Sequence, residues 1–182
     1  MIDESQMTLA RDWTGQTSFV HWFASEKIFD CRAVWDGGDT REFWTRSGRA
    51  VPAPAWFKRG LPKVKIDGGI YAGRAGFQIA SNATRLGGHW FDDGHLEFVA
   101  FDFPELAATW NKRIVEAAKA LKKSACARAI EFERITDPAH LVKFMLRIRA
   151  AGGEGGCFRH PEVTSYETGR SENLLRWKLT EN

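Results

Sequence analysis

Residues 25–32, Ser-Glu-Lys-Ile-Phe-Asp-Cys-Arg, follow an apolar run at 19–24 that predicts a β-strand. The stretch places Lys27 just after this strand and Arg32 five residues further on. A lysine amine that is desolvated, or that lies beside other cations, loses its proton more readily and can then attack phosphorus. Since a single exposed lysine is usually only a solvated charge, Lys27 becomes a candidate nucleophile through the motifs that surround it.

Short apolar or alternating runs broken by turn residues predict further strands at 31–35, 41–45, 64–71, 96–103 and 128–135. Apolar residues at helical spacing predict one helix beginning at Pro104 and a second from Asp137-Pro138 to Gly152-Gly153. The tail at 154–179 predicts two more strands. This order predicts one α+β domain over residues 1–182, built of antiparallel sheets with flanking helices.

The composition is that of a folded chain: 182 residues with 43% hydrophobic side chains supply enough apolar area for a core. The net charge of +3 is only mildly basic, so it allows a nucleic-acid partner without requiring one. Three scattered cysteines favour a reducing compartment. We find neither a signal peptide nor the ~18 consecutive apolar residues of a membrane span. The expected location is cytoplasmic, with no membrane partner.

Four further motifs follow in order along the chain: Lys65-Ile66-Asp67-Gly68-Gly69, Phe101-Asp102, Glu154-Gly155-Gly156 and Leu174-Leu175-Arg176-Trp177-Lys178. Together with residues 25–32, they resemble in order and spacing the nucleotidyltransferase motifs of ATP-dependent DNA ligases of the small bacterial and phage type. The resemblance extends from about Leu9 to Leu179. It implies the nucleotidyltransferase (ATP-grasp-like) fold of DNA ligases, and an adenylyltransferase that acts in nick sealing through a lysyl-AMP intermediate.

The resemblance also implies a role for each motif residue. Lys27 would be the catalytic residue that takes AMP from ATP, and Phe101 would stack on the adenine. Contacts with the nucleotide or its phosphates are implied for Glu26, Arg32, Arg46, Glu154, Arg176 and Lys178. Asp67 and Glu154 would hold Mg²⁺, and the partner would be nicked duplex DNA.

Several of these residues also have an ordinary structural interpretation when taken singly. Phe101 would be a core aromatic, and Glu154 would be a loop carboxylate after a helix end. Arg176 and Lys178 would lie on a solvated strand face. Basic residues of the first predicted helix would contact DNA phosphates or, more simply, form the solvated face of that helix: Lys112, Arg113, Lys119, Lys122 and Lys123.

A second lysine competes with Lys27 for the role of nucleophile. The segment Lys65-Ile66-Asp67-Gly68 spells Lys-x-Asp-Gly, the usual form of the family's nucleophile motif. No arginine follows Lys65 five residues later, since Ile70 stands there. The segment also lies where the third motif belongs, so we favour Lys27.

Two departures from the family pattern affect carboxylates. The aspartate expected two residues after the lysine is displaced to Asp30, with Phe29 in its place. On a strand, a shift of one residue turns a side chain to the other face. Gly69 stands where the third motif has a glutamate that assists ribose and metal, so Asp30, Asp67 or Glu97 would have to replace that carboxylate.

A third departure is length. Family members have an oligonucleotide-binding barrel beyond the position of Lys178, whereas the sequence ends at Asn182. The expectation is a domain with no C-terminal oligonucleotide-binding (OB) domain. Adenylation from ATP and grip on a nick would then both be weak, unless a second protein supplies the missing clamp.

Three functions follow from these observations. The first is an ATP-dependent DNA ligase-like adenylyltransferase with Lys27 as nucleophile. The second is a catalytically degenerate ligase fold that binds DNA, nucleotide or a protein partner without chemistry, and Phe29 and Gly69 motivate it. The third is an RNA ligase or capping-type nucleotidyltransferase, since these enzymes are similar in fold and motif order.

Overall fold

The computed structural model describes residues 2–38, 40–92 and 95–179 and contains two five-stranded sheets. Sheet 1 has the strand order β1 (Thr8–Asp12), β10 (Gly169–Lys178), β9 (Gly155–Arg159), β2 (Phe23–Glu26) and β8 (Phe132–Arg134). Sheet 2 has the order β4 (Phe43–Thr45), β3 (Cys31–Trp35), β5 (Ile66–Tyr71), β6 (Glu97–Asp102) and β7 (Ala127–Ala129). Neighbouring strands are antiparallel except in the pairs β1–β10 and β6–β7.

The described residues also form three α-helices, namely α1 (Phe77–Leu86), α2 (Trp110–Leu121) and α3 (Pro138–Ala150). Short 3-10 turns lie at Glu4–Gln6 and Gly88–Phe91. Within the described ranges, no helix has the length and apolar character needed to cross a membrane.

An aromatic core supports sheet 2. Every residue of β5 is buried, because this strand lies between β3 and β6 in the middle of the sheet. The ring of Phe43 lies 5.1 Å from that of Trp35 and 4.9 Å from that of Phe98. Trp110 and Ile114 of α2 pack into the same core. Burial of such side chains is the main stabilising contribution to a fold of this size, and here it fixes the positions of β5 and β6.

A second core lies between α3 and sheet 1. Phe144 of α3 packs on Phe158 of β9, and the ring of Phe19 stacks on Phe158 with 3.8 Å between centroids. After α3 the chain reverses at Gly152, whose φ of 72° lies in the left-handed region that favours glycine. This reversal brings Glu154 to the start of β9.

Much of the predicted organisation is confirmed. The strand at 31–35 has the predicted bounds, and the predicted strands at 41–45, 64–71 and 96–103 correspond to β4, β5 and β6 with shorter ends. The second helix begins at Pro138 as predicted, with the side chain of Asp137 accepting a hydrogen bond of 2.9 Å from the backbone N–H of His140. The α+β class with antiparallel sheets and flanking helices is confirmed as well.

The predicted start of the first helix was wrong. Residues 104–109 form turns, and α2 begins at Trp110. The indole N–H of Trp110 donates to the carbonyl of Phe101, and a guanidinium nitrogen of Arg113 donates to the carbonyl of Ala108. The first turn of α2 is therefore fixed by its contacts with β6 and the preceding loop. These tertiary contacts cannot be predicted from the preference of proline for the start of a helix.

The single strand predicted at 128–135 was also wrong. The segment forms β7 in sheet 2 and then β8 in sheet 1, so the chain crosses between sheets near Ile130, which is itself buried. Alternation does not mark the crossing, because side chains alternate in the same way along a strand of either sheet. The sequence motifs left β1 and α1 unassigned.

Candidate functional site

A cavity of about 700 Å³ lies where the two sheets meet. The short link at residues 27–30 connects β2 in sheet 1 to β3 in sheet 2, and it lies along the cavity wall. Sheet 2 contributes Arg32 and Phe101, and sheet 1 contributes Ser25 and Arg176. The structure therefore brings residues from three of the five sequence motifs to one cavity.

Lys27 is held at this cavity by contacts with the motif that begins at Glu154. The backbone N–H of Lys27 donates to the carbonyl of Gly155 at 2.8 Å. Its Nζ forms an ion pair with Oε2 of Glu154, and Nζ of Lys178 lies 4.0 Å from the other oxygen of the same carboxylate. The Lys27 side chain is 20% exposed. It is therefore partly desolvated while still open to the cavity.

The cavity is strongly cationic. Among the described residues that line it, basic side chains outnumber the two carboxylates, Glu26 and Asp30. The basic side chains are Lys27, Arg32, Arg46, Arg49, Arg159, Arg170 and Arg176. A concave wall with this excess of positive charge attracts a polyanion such as a nucleoside triphosphate.

Arg32 on the cavity wall forms an ion pair with the buried Asp67. The guanidinium of Arg32 donates to both oxygens of Asp67, at 2.7 and 2.6 Å, and the hydroxyl of Tyr166 donates to Asp67 at 2.7 Å. Burial alone would lower the pKa of Arg32, but the charge and hydrogen bonds of Asp67 raise it above its ordinary range. Arg32 is thus permanently charged, and its guanidinium lies 5.6 Å from the centre of the Phe101 ring.

Three other predicted residues lie on the cavity wall in ion pairs. Arg176 pairs with Asp12 at 2.5 and 3.0 Å, and Arg46 pairs with Glu4 at 2.6 Å. Glu26 accepts two hydrogen bonds from Arg74. Exposed pairs of this kind contribute little to stability, so Arg46 and Arg176 can exchange a carboxylate for a phosphate at small cost.

The competing lysine lies elsewhere. Lys65 precedes β5 and is not among the residues that line the cavity. Glu97, one of the carboxylates considered as a replacement at position 69, is paired with Arg128 at 2.8 and 2.9 Å. The positions of these two residues support Lys27 over Lys65 and leave Glu97 without a role at the cavity.

The sequence motifs missed Arg159. It lies on β9, lines the cavity and stacks on Trp110 with 4.4 Å from guanidinium to ring centre. In the described part of the chain, the one hydrogen bond of its side chain goes to the Ser25 hydroxyl at 3.5 Å, and no carboxylate forms an ion pair with it. Burial lowers its pKa. The available signal was strand alternation, which places residues 155, 157 and 159 on one face.

Both interpretations of the basic residues on α2 were wrong for Arg113. Its guanidinium is buried and donates to Asp102 at 2.6 and 3.0 Å. It therefore neither contacts solvent nor is free to bind DNA. Lys112, Lys119, Lys122 and Lys123 are exposed, and Lys119 pairs with Glu116 one turn away.

The chain is similar to known DNA ligases in sequence and in fold. No protein-family model matches the chain. A curated DNA ligase of Haemophilus influenzae is 29% identical over 161 residues, which cover 86% of the chain and 58% of that protein. A solved structure from a structure-function study of DNA binding by the minimal-scaffold Lig E DNA ligases has a TM-score of 0.80 and 26% identity, matched over 98% of the chain and 70% of its own length. The chain is therefore similar in sequence and in fold to the adenylation domains of DNA ligases.

Two viral ligases share the fold of this chain. The Chlorella virus DNA ligase-adenylate has a TM-score of 0.77 at 18% identity, matched over 96% of the domain and 67% of its own length. The ATP-dependent DNA ligase of bacteriophage T7 in complex with ATP has a TM-score of 0.71 at 16% identity, matched over 96% of this chain and 69% of its own length. At these identities the likeness shows the fold alone. The domain spans 58% of the length of the Haemophilus ligase.

Proposed function

We propose that the domain is an ATP-dependent adenylyltransferase that transfers AMP to Lys27 and then to the 5′-phosphate of a nick in duplex DNA. The observation that supports this most strongly is the placement of Lys27 in a cavity lined by six arginines among the described residues. A nucleophilic amine surrounded by fixed cations suits attack on a phosphoanhydride, because the cations stabilise the charge that develops on the phosphates.

In the first step, the Nζ of Lys27 forms a bond to the α-phosphorus of ATP, and the bond from that phosphorus to the bridging oxygen breaks to release pyrophosphate. Nζ loses a proton in this step, and the carboxylate of Glu154, its ion-pair partner, is placed to receive it. Arg176 and Arg46 lie on the same wall to hold phosphate oxygens. Phe101 offers a ring for the adenine, and base stacking of this kind contributes about 1–3 kcal/mol.

In the later steps, the 5′-phosphate of the nick takes AMP from Lys27, and the 3′-hydroxyl then attacks this phosphate and releases AMP. The phosphoramidate bond between Lys27 and AMP breaks first, and the phosphodiester bond that seals the nick forms last. Nicked duplex DNA is the proposed substrate, by analogy with the DNA ligases that share the fold. A second protein that clamps the duplex stays a prediction.

Of the two carboxylates predicted to hold magnesium, Glu154 is the one whose surroundings fit the ion. Oε2 of Glu154 is buried and, among the described residues, its ion pair with Lys27 is its one polar contact. The described residues contain no cluster of three metal-binding side chains, but magnesium needs only one or two carboxylates when phosphates supply further oxygens. When bound, it neutralises phosphate charge. Asp67 is already saturated by Arg32 and Tyr166, so its predicted metal role stays a prediction.

The covalent step is tested by incubating the purified protein with α-labelled ATP and magnesium. We expect acid-labile label on the wild type and none on Lys27→Ala. Lys65→Ala is the matched control, since Lys65 is the rival lysine outside the cavity, and it should retain full labelling. An unlabelled wild type would contradict the proposal.

A catalytically degenerate ligase fold is the second candidate. Gly69 leaves position 69 without a carboxylate, and the exposed Phe29 stands two residues after Lys27. This candidate predicts that the wild type binds ATP without becoming labelled. If label does form, sealing assays on matched nicked DNA and nicked RNA duplexes separate a DNA ligase from an RNA ligase or capping-type enzyme.

A further inference from the structure

Among the described residues that line the cavity, Asp30 is a carboxylate without a side-chain partner. It lies between Lys27 and Arg32 on the cavity wall. In the part of the chain that the structure describes, no side chain forms a hydrogen bond or ion pair with it. The other carboxylates nearby are occupied: Asp67 by Arg32, Glu154 by Lys27, and Glu26 by Arg74.

The direction of the Asp30 side chain depends on Gly69. A Cβ atom at position 69 would lie 2.0 Å from Oδ2 of Asp30 and 2.6 Å from its Cγ, far inside contact distance. The backbone of Gly69 lies outside the left-handed region, so its conformation suits any L-residue. Asp30 therefore occupies the volume that a side chain at position 69 would fill, and any side chain introduced there would have to displace the Asp30 carboxylate.

Asp30 lines the same cavity as Lys27, Arg32 and Phe101. Under the proposed function, the base lies on Phe101, which Arg32 covers at 5.6 Å, and the α-phosphate lies at Lys27. The charges of Arg32 and Lys27 both act on Asp30, so the carboxylate lies within reach of both groups. The part of a nucleotide between its base and its α-phosphate is the ribose, whose hydroxyl groups are hydrogen-bond donors.

We infer that the Asp30 carboxylate accepts a hydrogen bond from a ribose hydroxyl of ATP and makes the domain selective for ribonucleotides. This inference rests on the proposed function. An ionised acceptor forms stronger hydrogen bonds than a neutral one, and an acceptor without a side-chain partner can take a donor from a ligand. Burial raises the pKa of Asp30, as expected for a carboxylate that no side chain compensates with a hydrogen bond.

One consequence concerns position 69. A glutamate introduced there would collide with Asp30 and would place two carboxylates in one volume. Gly69→Glu alone should therefore weaken ATP binding, whereas Gly69→Glu combined with Asp30→Gly should restore it. If Gly69→Glu alone strengthened ATP binding, this would contradict the proposal that Asp30 occupies the place of a carboxylate at position 69.

The inference is tested by calorimetric titration with ATP, 2′-deoxy-ATP and 3′-deoxy-ATP, without divalent cation so that no transfer consumes the ligand. We expect the wild type to bind ATP about tenfold more tightly than at least one deoxy analogue. Asp30→Ala should reduce this preference to near unity by weakening ATP binding alone. Gly69→Ala, which displaces the carboxylate without removing it, should do the same, and the exposed Glu105→Gln is the control that keeps the preference.

The outcomes separate the two proposals. A wild type that does not bind ATP contradicts the proposed function and with it the ribose contact. A wild type that binds ATP but discriminates against neither deoxy analogue contradicts the ribose contact alone. The same holds if Asp30→Ala retains the wild-type preference while its circular dichroism spectrum shows a native fold.

Discussion

At the scale of the residue, Asp30 lies on the cavity wall, where its ionised form destabilises the folded protein. Burial raises its pKa from 3.8 to about 6, although the charges of Arg32 and Lys27 act to lower it. Between these two values the folded protein binds a proton that the unfolded chain has released. Asp30 therefore favours folding less and less as pH rises through this window, and its penalty is fully present above the folded pKa.

Asp30→Asn should remove this penalty. We expect the substitution to raise the free energy of unfolding by about 3 kcal/mol at about pH 8 and to change it little at about pH 4, since the pKa rises from 3.8 to about 6 and one pKa unit corresponds to about 1.4 kcal/mol. Urea unfolding at both pH values measures the difference, with Glu105→Gln as the control. A stabilisation of equal size at both pH values would show that ionisation of Asp30 is not its cause.

The sequence alone identified Lys27, Arg32 and Phe101 as cavity residues, because residue type and spacing are enough to align them with a known series of motifs. It did not give the direction of Asp30. That direction depends on the free volume above Gly69, which arises only when β3 and β5 pair in sheet 2. The absence of a side chain at Gly69 on β5 thus determines where the Asp30 carboxylate can lie.

At the scale of the element, α2 shows how a charged residue can belong to a buried face. Trp110, Ile114 and Ala117 mark this face, and Arg113 lies on it by the same helical period. The helical period is visible in the sequence, but the charge of Arg113 favours solvent or DNA as its surroundings. Its buried partner, Asp102, lies on β6 and comes into contact only in the tertiary fold.

The two neighbouring basic residues of α2 should therefore differ sharply. Arg113→Gln leaves Asp102 buried without a compensating charge and should cost about 3 kcal/mol of unfolding free energy. Lys112→Gln alters an exposed side chain on the same helix and should change stability by less than about 0.5 kcal/mol. Thermal or urea unfolding of the two variants measures the contrast, and equal effects would contradict the buried pair.

At the scale of the whole molecule, the cavity exists because the chain passes between sheets at residues 27–30 and again near Ile130. The sequence predicted strands in roughly the right places but not their division into two sheets, since a strand alternates in the same way in either sheet. Similar overall folds in the Lig E and T7 ligases, at 26% and 16% identity, show that this division tolerates extensive sequence change. Position between the sheets is what gives Lys27 its chemical environment.

The attachment site of AMP can be read by peptide mass spectrometry after incubation with ATP and magnesium, with digestion at neutral pH to preserve a phosphoamide. We expect one AMP per chain, located on the peptide that contains Lys27, and none on any peptide of Lys27→Arg. AMP on Lys65 or on another residue, or a wild-type chain that binds ATP and gains no AMP, would contradict the assignment of Lys27 as the nucleophile.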